Sequence, residues 1–349
     1  HKRRQQAQPS PYPPDPLLSV PPPTQAPVPS TDQVVSTLGV KDLSLNETCA
    51  VQTLTLGPQV TSSEGALLAN ELSTTGVVLV SAPDVLPEAV VQQALERCAA
   101  LMRTSAGSKV LGKVKRAPTL VKNEKKKMQG DYKESVMLEW PDAEQDAELR
   151  YFWEALEAVK LRVLCALEQY LEMDGLVKSH ATALGNDDLR LLRYPPVSEE
   201  VAGKIEADGN RCYAHVDYGT ITLLVADGPG LEVQIPDTEE WVPVPHHDVP
   251  KVVVNVGKEF ADEMTHGSLR AAMHRVPGPV SVGTRLSASA LTAERHAIAL
   301  FVQQERYYRG PNKKAPPTNH TLDKYKRKSF SPQSLGAGSS TQYPNPGKP

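Results

Sequence analysis

The stretch Ala214–Val225, AHVDYGTITLLV, sets a histidine and an aspartate two residues apart, directly before an apolar run that reads as a buried strand. Titratable side chains at the edge of a core cost free energy unless something binds them. In a strand, side chains two apart share a face, so the spacing predicts that His215 and Asp217 converge on one point. A third ligand is available in AAMHRVPG, where His274 follows Asp217 by 57 residues in another strand-like run. Two histidines and one carboxylate can take one face of an octahedral iron(II), leaving three positions for a chelating cosubstrate and dioxygen. A single histidine beside an apolar strand is as a rule an ordinary core or surface residue. The run PHHDVP holds His246, His247 and Asp248, but adjacent side chains diverge and prolines flank them, so it reads as a surface loop.

Working outward, short apolar runs recur at intervals broken by Pro, Gly and Asp: LRLLRY, ITLLVA, LEVQI, WVPVP, KVVVNVG, MHRV and HAIALFV. That texture predicts an antiparallel sandwich or barrel. Upstream, the pattern from Glu64 to Met102 predicts a helix, a short strand at Gly76 to Val80, and a helix starting near Pro87 and Glu88. Phe152, Leu156, Val159, Val163, Leu167 and Leu171 recur at spacings of three and four and predict a long helix from Ala143 to Met173. Residues 1–31 are proline-rich and read as a disordered leader, and 312–349 as a mobile tail, first basic and then rich in Ser, Gly and Pro. Between them the reading is an N-terminal mixed region over 32–180 and a β-rich core over 181–311.

With 40% hydrophobic residues in 349, a net charge of −3 and a pI near 6.3, the chain has the composition of a globular protein and no global bias toward nucleic acid or membrane surface. Cys49, Cys98, Cys165 and Cys212 form neither a CxxC pair nor a dense framework, which fits a reducing, cytoplasmic setting. No apolar run nears the ~20 residues a membrane span needs.

Residues 190–304 resemble the core of the isopenicillin-N-synthase-like family of 2-oxoglutarate and Fe(II)-dependent oxygenases. HVDYGTITLLVADGPGLEVQ resembles its His-x-Asp-x-Gly-x-x-Thr-Leu-Leu stretch, KVVVNVGKEF its Val-x-Asn-x-Gly strand, THGSLRAAMHRV its second-histidine segment, and LRLLRYPP its Asn-Tyr-Tyr-Pro-Pro strand. LGVKDLSL and GVVLVSAP resemble its more degenerate amino-terminal region. The resemblance implies a mainly β fold with flanking helices: a double-stranded β-helix (jelly-roll) core and an N-terminal α/β region. It implies Fe(2+) held by His215, Asp217 and His274, with 2-oxoglutarate and dioxygen as cosubstrates and ascorbate as a supporting reductant. The implied activity is hydroxylation of a C–H bond in a small organic substrate, with release of succinate and carbon dioxide, by a monomer needing neither nucleic acid nor membrane.

The far carboxylate of such a cosubstrate calls for a planar bidentate cation, which Arg supplies and Lys does not. Arg285, in TRLS, matches the family's Arg-x-Ser literally; Arg295, in RHAIALFV, matches its strand but for the Ser, replaced by Ala297. Only Arg295 leads straight into an apolar strand, so it is the expected anchor, with Tyr194 adding a hydroxyl and Arg285 as the alternative. RLSASALTAE is then an inserted loop. The family's Asn is here Leu192, a second departure. Expected pocket residues are Tyr213, Arg211, Phe301 and the segment 125–140, with Arg211 and nearby lysines able to meet an anionic group; the basic run from Lys113 to Lys127 reads as a solvated loop. Two other readings stay open: the same fold using Fe(II) and dioxygen without 2-oxoglutarate, and a non-catalytic binding or scaffold protein.

Overall fold

Helix starts in this chain are written in local hydrogen bonds. In α1 (Ser62–Thr74) the Thr61 hydroxyl accepts from the Glu64 amide while the Glu64 carboxylate accepts from the Thr61 amide, a reciprocal capping box. Helix α2 (Glu88–Met102) starts after Pro87, whose missing N–H costs nothing there. Helix α3 (Ala147–Tyr170) is capped by Asp146, which accepts from the Leu149 amide and also takes Arg97 Nε at 2.7 Å, tying α3 to α2. The expected long helix is therefore shorter at both ends than 143–173, with a separate turn at Trp140–Ala143 ahead of the cap.

The computed structural model describes residues 51–104, 108–118, 131–181, 187–202, 204, 205, 209–249 and 251–304. All lie in the unit Cys49–Pro349; the other unit, His1–Thr48, lies outside them, as do the proline-rich leader, the tail and most of the basic run. The strands are β1 (Thr53–Thr55), β2 (Val77–Ser81), β3 (Lys109–Val110), β4 (Lys113–Val114), β5 (Glu134–Leu138), β6 (Asp188–Tyr194), β7 (Asn210–His215), β8 (Ile221–Ala226), β9 (Glu232–Gln234), β10 (Trp241–Pro243), β11 (Val252–Val256), β12 (His274–Pro277) and β13 (Arg295–Val302). They form a seven-stranded sheet, β1-β2-β11-β8-β13-β6-β5, a four-stranded sheet, β10-β9-β12-β7, and the small β3-β4 hairpin.

Alternation along each strand of the large sheet separates two cores. Ile298, Leu300 and Val302 of β13 pack outward with Leu156, Val159 and Val163 of α3 and Leu95 of α2. Ala297 and Ala299 pack inward with Leu192, Tyr194 and, from the small sheet, Cys212, Val233 and Val276. The expected jelly roll is thus present: two sheets face each other across an inner core, and helices cover the back of the larger one. Strands β1, β2 and β5 of the N-terminal region extend that same sheet. No helix among the described residues is long and apolar enough to cross a membrane.

Several local expectations change. The segment Arg285–Glu294 is not a plain loop: Ser287 caps a short helix, Ala288–Thr292, whose carbonyls receive Val197 N–H and Arg211. Lys115, expected in a solvated basic loop, is fully buried, its ammonium donating to the Met102 and Thr104 carbonyls and to Glu134 at 3.1 Å. Lys113 pairs with Glu139 and Asp142. His246, His247 and Asp248 are exposed, as expected of a surface loop.

Candidate active site

Strand β7 ends at His215, and antiparallel pairing with β12 sets His274 directly opposite it. The two rings lie 4.3 Å apart between centroids. Each ring approaches, through Nδ1, the backbone carbonyl two residues earlier in the chain: His215 with Tyr213 at 2.8 Å and His274 with Ala272 at 3.0 Å. A neutral imidazole that donates from Nδ1 keeps its lone pair on Nε2, so both histidines can present the same kind of metal-binding nitrogen.

Asp217 lies past the end of β7, so strand alternation does not bring it to the histidines; a turn does. The Asp217 carbonyl accepts from the Lys258 amide, the Tyr218 carbonyl from Glu259, and the Thr220 carbonyl from Gly257. Any β-carbon at Gly257 would overlap the Gly219 carbonyl oxygen, so glycine is what lets these two turns meet. Within the turn, Thr222 Oγ1 donates to Asp217 Oδ2 at 2.8 Å. The other carboxylate oxygen lies 3.6 Å from His215 Nε2, while Oδ2 is 3.9 Å from His274 Nε2. Ligand atoms of all three residues fall within 4.8 Å of one another.

They face a cavity between the sheets. Its floor is the inner face of the large sheet, where the register arranges side chains in rows across neighbouring strands. Asp188, Phe301, Thr222 and Asn255 make one row, nearest Asp217. Met137, Arg190, Ala299 and Leu224 make the next, with the Arg190 guanidinium 4.6 Å from the Phe301 ring centre. Ser135, Leu192, Ala297 and Ala226 follow, and Tyr194 with Arg295 closes the series. The donor set offers a fit test for iron(II): two imidazole nitrogens and one carboxylate on one side of a cavity match what a hard-to-borderline divalent ion with open positions takes. Asn255 adds to this, since its buried Oδ1 lines the cavity with no partner among the described residues and would be satisfied by a polar guest.

Of the two candidate arginines, Arg295 lines this cavity and is 3% exposed. Its Nε donates to the Gly228 carbonyl at 3.0 Å, its guanidinium lies 5.3 Å from the Tyr194 ring centre, and a β-carbon at Gly230 (φ +138°) would press on its Cδ at 3.2 Å. Arg285 is half exposed and pairs with Glu240 at 3.1 Å. Burial pushes the Tyr194 hydroxyl up to about 12, Cys212 adding to the rise while Lys133 and Arg295 oppose it, so the hydroxyl keeps its proton and can donate.

Phe301 lines the cavity as expected, and Tyr213 stands 5.2 Å from the His215 ring between centroids. Arg211 does not line it. Its guanidinium is buried and donates to the Pro195 and Leu291 carbonyls, at 2.8 and 3.3 Å. Burial first, and then Arg295, pull it down to about 10. Residues 125–130 lie outside the described residues; from the rest of that segment Lys133 reaches the cavity. Arg190 was not singled out by sequence reasoning, and Lys133 was reached only as part of the segment 125–140. Period-two alternation in DYKESVMLEW, which sets Lys133, Ser135 and Met137 on one face, is the signal that could have found Lys133.

The profile of the 2OG-Fe(II) oxygenase superfamily matches residues 186–303. A 2-oxoglutarate-dependent dioxygenase of Aspergillus rugulosus is 32% identical over 187 residues, 50% of this chain and 52% of that protein. A proline hydroxylase of Petromyces alliaceus is 29% identical over 157 residues, 44% of this chain and 46% of that protein. The chain spans about half, or less, of the length of the curated relatives it matches. Among solved structures, a full-length Neurospora crassa protein in complex with α-KG and thymine superposes with a TM-score of 0.58 at 20% identity, covering 80% of this chain and 97% of that one. Dioxygenase for auxin oxidation 1 of Arabidopsis thaliana with 2-oxoglutarate gives 0.53 at 16%, covering 76% and 96%. At such identities these two establish the shared fold.

Proposed function

We propose that the chain is a member of the 2OG-Fe(II) oxygenase superfamily, whose profile matches residues 186–303, and an Fe(II)- and 2-oxoglutarate-dependent dioxygenase that hydroxylates a C–H bond of a small organic substrate. The observation that carries this reading is one cavity lined by His215, Asp217 and His274 together with Arg295 and Tyr194. The name shared by its fungal relatives supports it.

In this reading His215, Asp217 and His274 hold the metal. The chemistry that bound iron(II) supplies is activation of dioxygen, coupled to decarboxylation of 2-oxoglutarate to succinate and carbon dioxide and to oxidation of the substrate. The chain does the rest. Two backbone carbonyls orient the imidazoles, and the Thr222 hydroxyl fixes the rotation of the Asp217 carboxylate. Arg295 binds the far carboxylate of the cosubstrate, with the Tyr194 hydroxyl as a second donor. Leu192, Leu224, Leu231, Val276 and Phe301 exclude water, which strengthens each charge-assisted bond inside. The division into an N-terminal region over 32–180 and a catalytic core over 181–311 is part of the proposal. So is a monomer working in the cytoplasm without nucleic acid or membrane.

The test is succinate formation from 2-oxoglutarate by purified protein with Fe(II) and ascorbate, beside Arg295→Ala and Arg285→Ala. Slow turnover in the wild type and Arg285→Ala, abolished in Arg295→Ala, is expected. An iron-loaded protein that neither forms succinate nor binds 2-oxoglutarate would overturn the cosubstrate and leave iron and dioxygen alone.

A further inference from the structure

A 2-oxoglutarate dianion seated as proposed buries a carboxylate at the Arg295 end, and each of its oxygens needs donors to replace lost water. That end is poor in them. Leu192, Val276 and Leu231 line it without a donor, and Ala297, buried in the row beside Arg295, carries no hydroxyl. Among the described residues a second cation joins Arg295 and the Tyr194 hydroxyl there: Lys133.

The register explains why. Glu134 on β5 pairs with Arg193 on β6, so Lys133, one residue earlier, falls opposite Tyr194, which in turn pairs with Arg295. Lys133, Tyr194 and Arg295 thus form one row over three strands, each about 4.8 Å from the next. The Lys133 side chain is 13% exposed and bridges to the small sheet, its ammonium 2.7 Å from Cys212 Sγ, while Cys212 pairs across β7 and β12 with Val276. Asp131 takes the ammonium at 2.8 Å and is itself fixed by the Tyr213 amide at 3.1 Å. Asp131 and Cys212 use two of its three N–H groups among the described residues, so a third donor remains.

We propose that Lys133 is a second cation of the 2-oxoglutarate site, its ammonium sharing the far carboxylate with Arg295 and Tyr194. This rests on the functional reading above. Lys133 does for this chain what a hydroxyl at Ala297 cannot, and Asp131 holds it in place between the sheets. Only ligands with that far carboxylate feel it.

The experiment is calorimetric titration of the Mn(II)-loaded full chain, without turnover, using 2-oxoglutarate and 2-oxobutyrate, which lacks the far carboxylate. Lys133→Met should bind 2-oxoglutarate at least about tenfold more weakly, with 2-oxobutyrate unchanged, and Lys133→Arg should keep most of the affinity. Thermal melts confirm that each variant folds, and Lys133→Gln replaces Lys133→Met if the latter does not. Equal 2-oxoglutarate affinity in wild type and charge-less variant, or an equal loss for both ligands, overturns the role of Lys133 while leaving the functional reading standing. A wild type that binds neither ligand overturns that reading, and this inference with it.

Discussion

The two faces of β13 carry the same number of side chains and do opposite things. Outward, Ile298, Leu300 and Val302 are closed over by helices, and the fourth, His296, is buried against the Asp227 carboxylate at 2.8 Å. Inward, Arg295, Ala297, Ala299 and Phe301 line or flank a cavity, two of the four are small, and one is a buried cation. A strand buried on both sides therefore need not be uniform. Its outer face is filled for stability, and its inner face is left partly empty so that a guest can complete it. Arginine and alanine alternating with isoleucine and leucine is the sequence trace of that division.

The comparison can be broken first on the filled side. Leu300→Ala should cost about 3 kcal/mol, measured as a urea midpoint shift, because a fully buried leucine leaves a hole that its neighbours only partly close. Metal and 2-oxoglutarate affinity of the protein that remains folded should not change; a large drop in either would show that the two faces are coupled. On the open side, Thr222→Val should weaken divalent-metal binding roughly tenfold while leaving stability almost untouched, since it removes the donor that orients Asp217. An unchanged metal affinity would remove Thr222 from the site.

The smallest effect should have the opposite sign. Burial raises the Asp188 carboxyl to about 6, with Arg190 opposing and Glu139 adding to the rise. An acid whose folded value lies above its unfolded 3.8 holds its proton more tightly when folded. The penalty on the carboxylate is absent below about pH 4, grows as pH rises to about 6, and stays constant above. Asp188→Asn should therefore stabilise the protein by about 1 kcal/mol at pH 7 and by nothing near pH 3.5. Denaturation at the two values checks it, and destabilisation at pH 7 would show that Asp188 is paired favourably after all.

The strands and the His215, Asp217, His274 cluster were legible because period-two alternation and ligand spacing are local signals. Asp217 was legible as a member of the cluster but not by its mechanism: the turn that delivers it is built by Gly257 and its neighbours some forty residues on, and no local pattern reports that. Arg211, expected to line the pocket, and Lys115, expected in a solvated loop, were misread for one physical reason. The partners of a long cationic side chain are unknown until the element that covers it is known, and here backbone carbonyls of remote segments accept from both. Lys133 was legible only as one residue of the pocket segment 125–140, because its place beside Tyr194 depends on the pairing of β5 with β6.

The row that ends the cavity is fixed by hydrogen-bonded register, and for the proposed 2-oxoglutarate site this would constrain which diacids it can choose among. Sliding β5, β6 or β13 by one residue would turn every inward side chain out, so the smallest permitted slip is two residues, about 6.6 Å along the strand. A chain of methylenes grows in far finer steps. Selection between diacids of neighbouring length therefore cannot come from moving the sheet; it has to come from how far the side chains at its fixed end reach back. A lysine and an arginine on either side of Tyr194, one flexible and one forked, would give such a site two settings where a rigid sheet gives none.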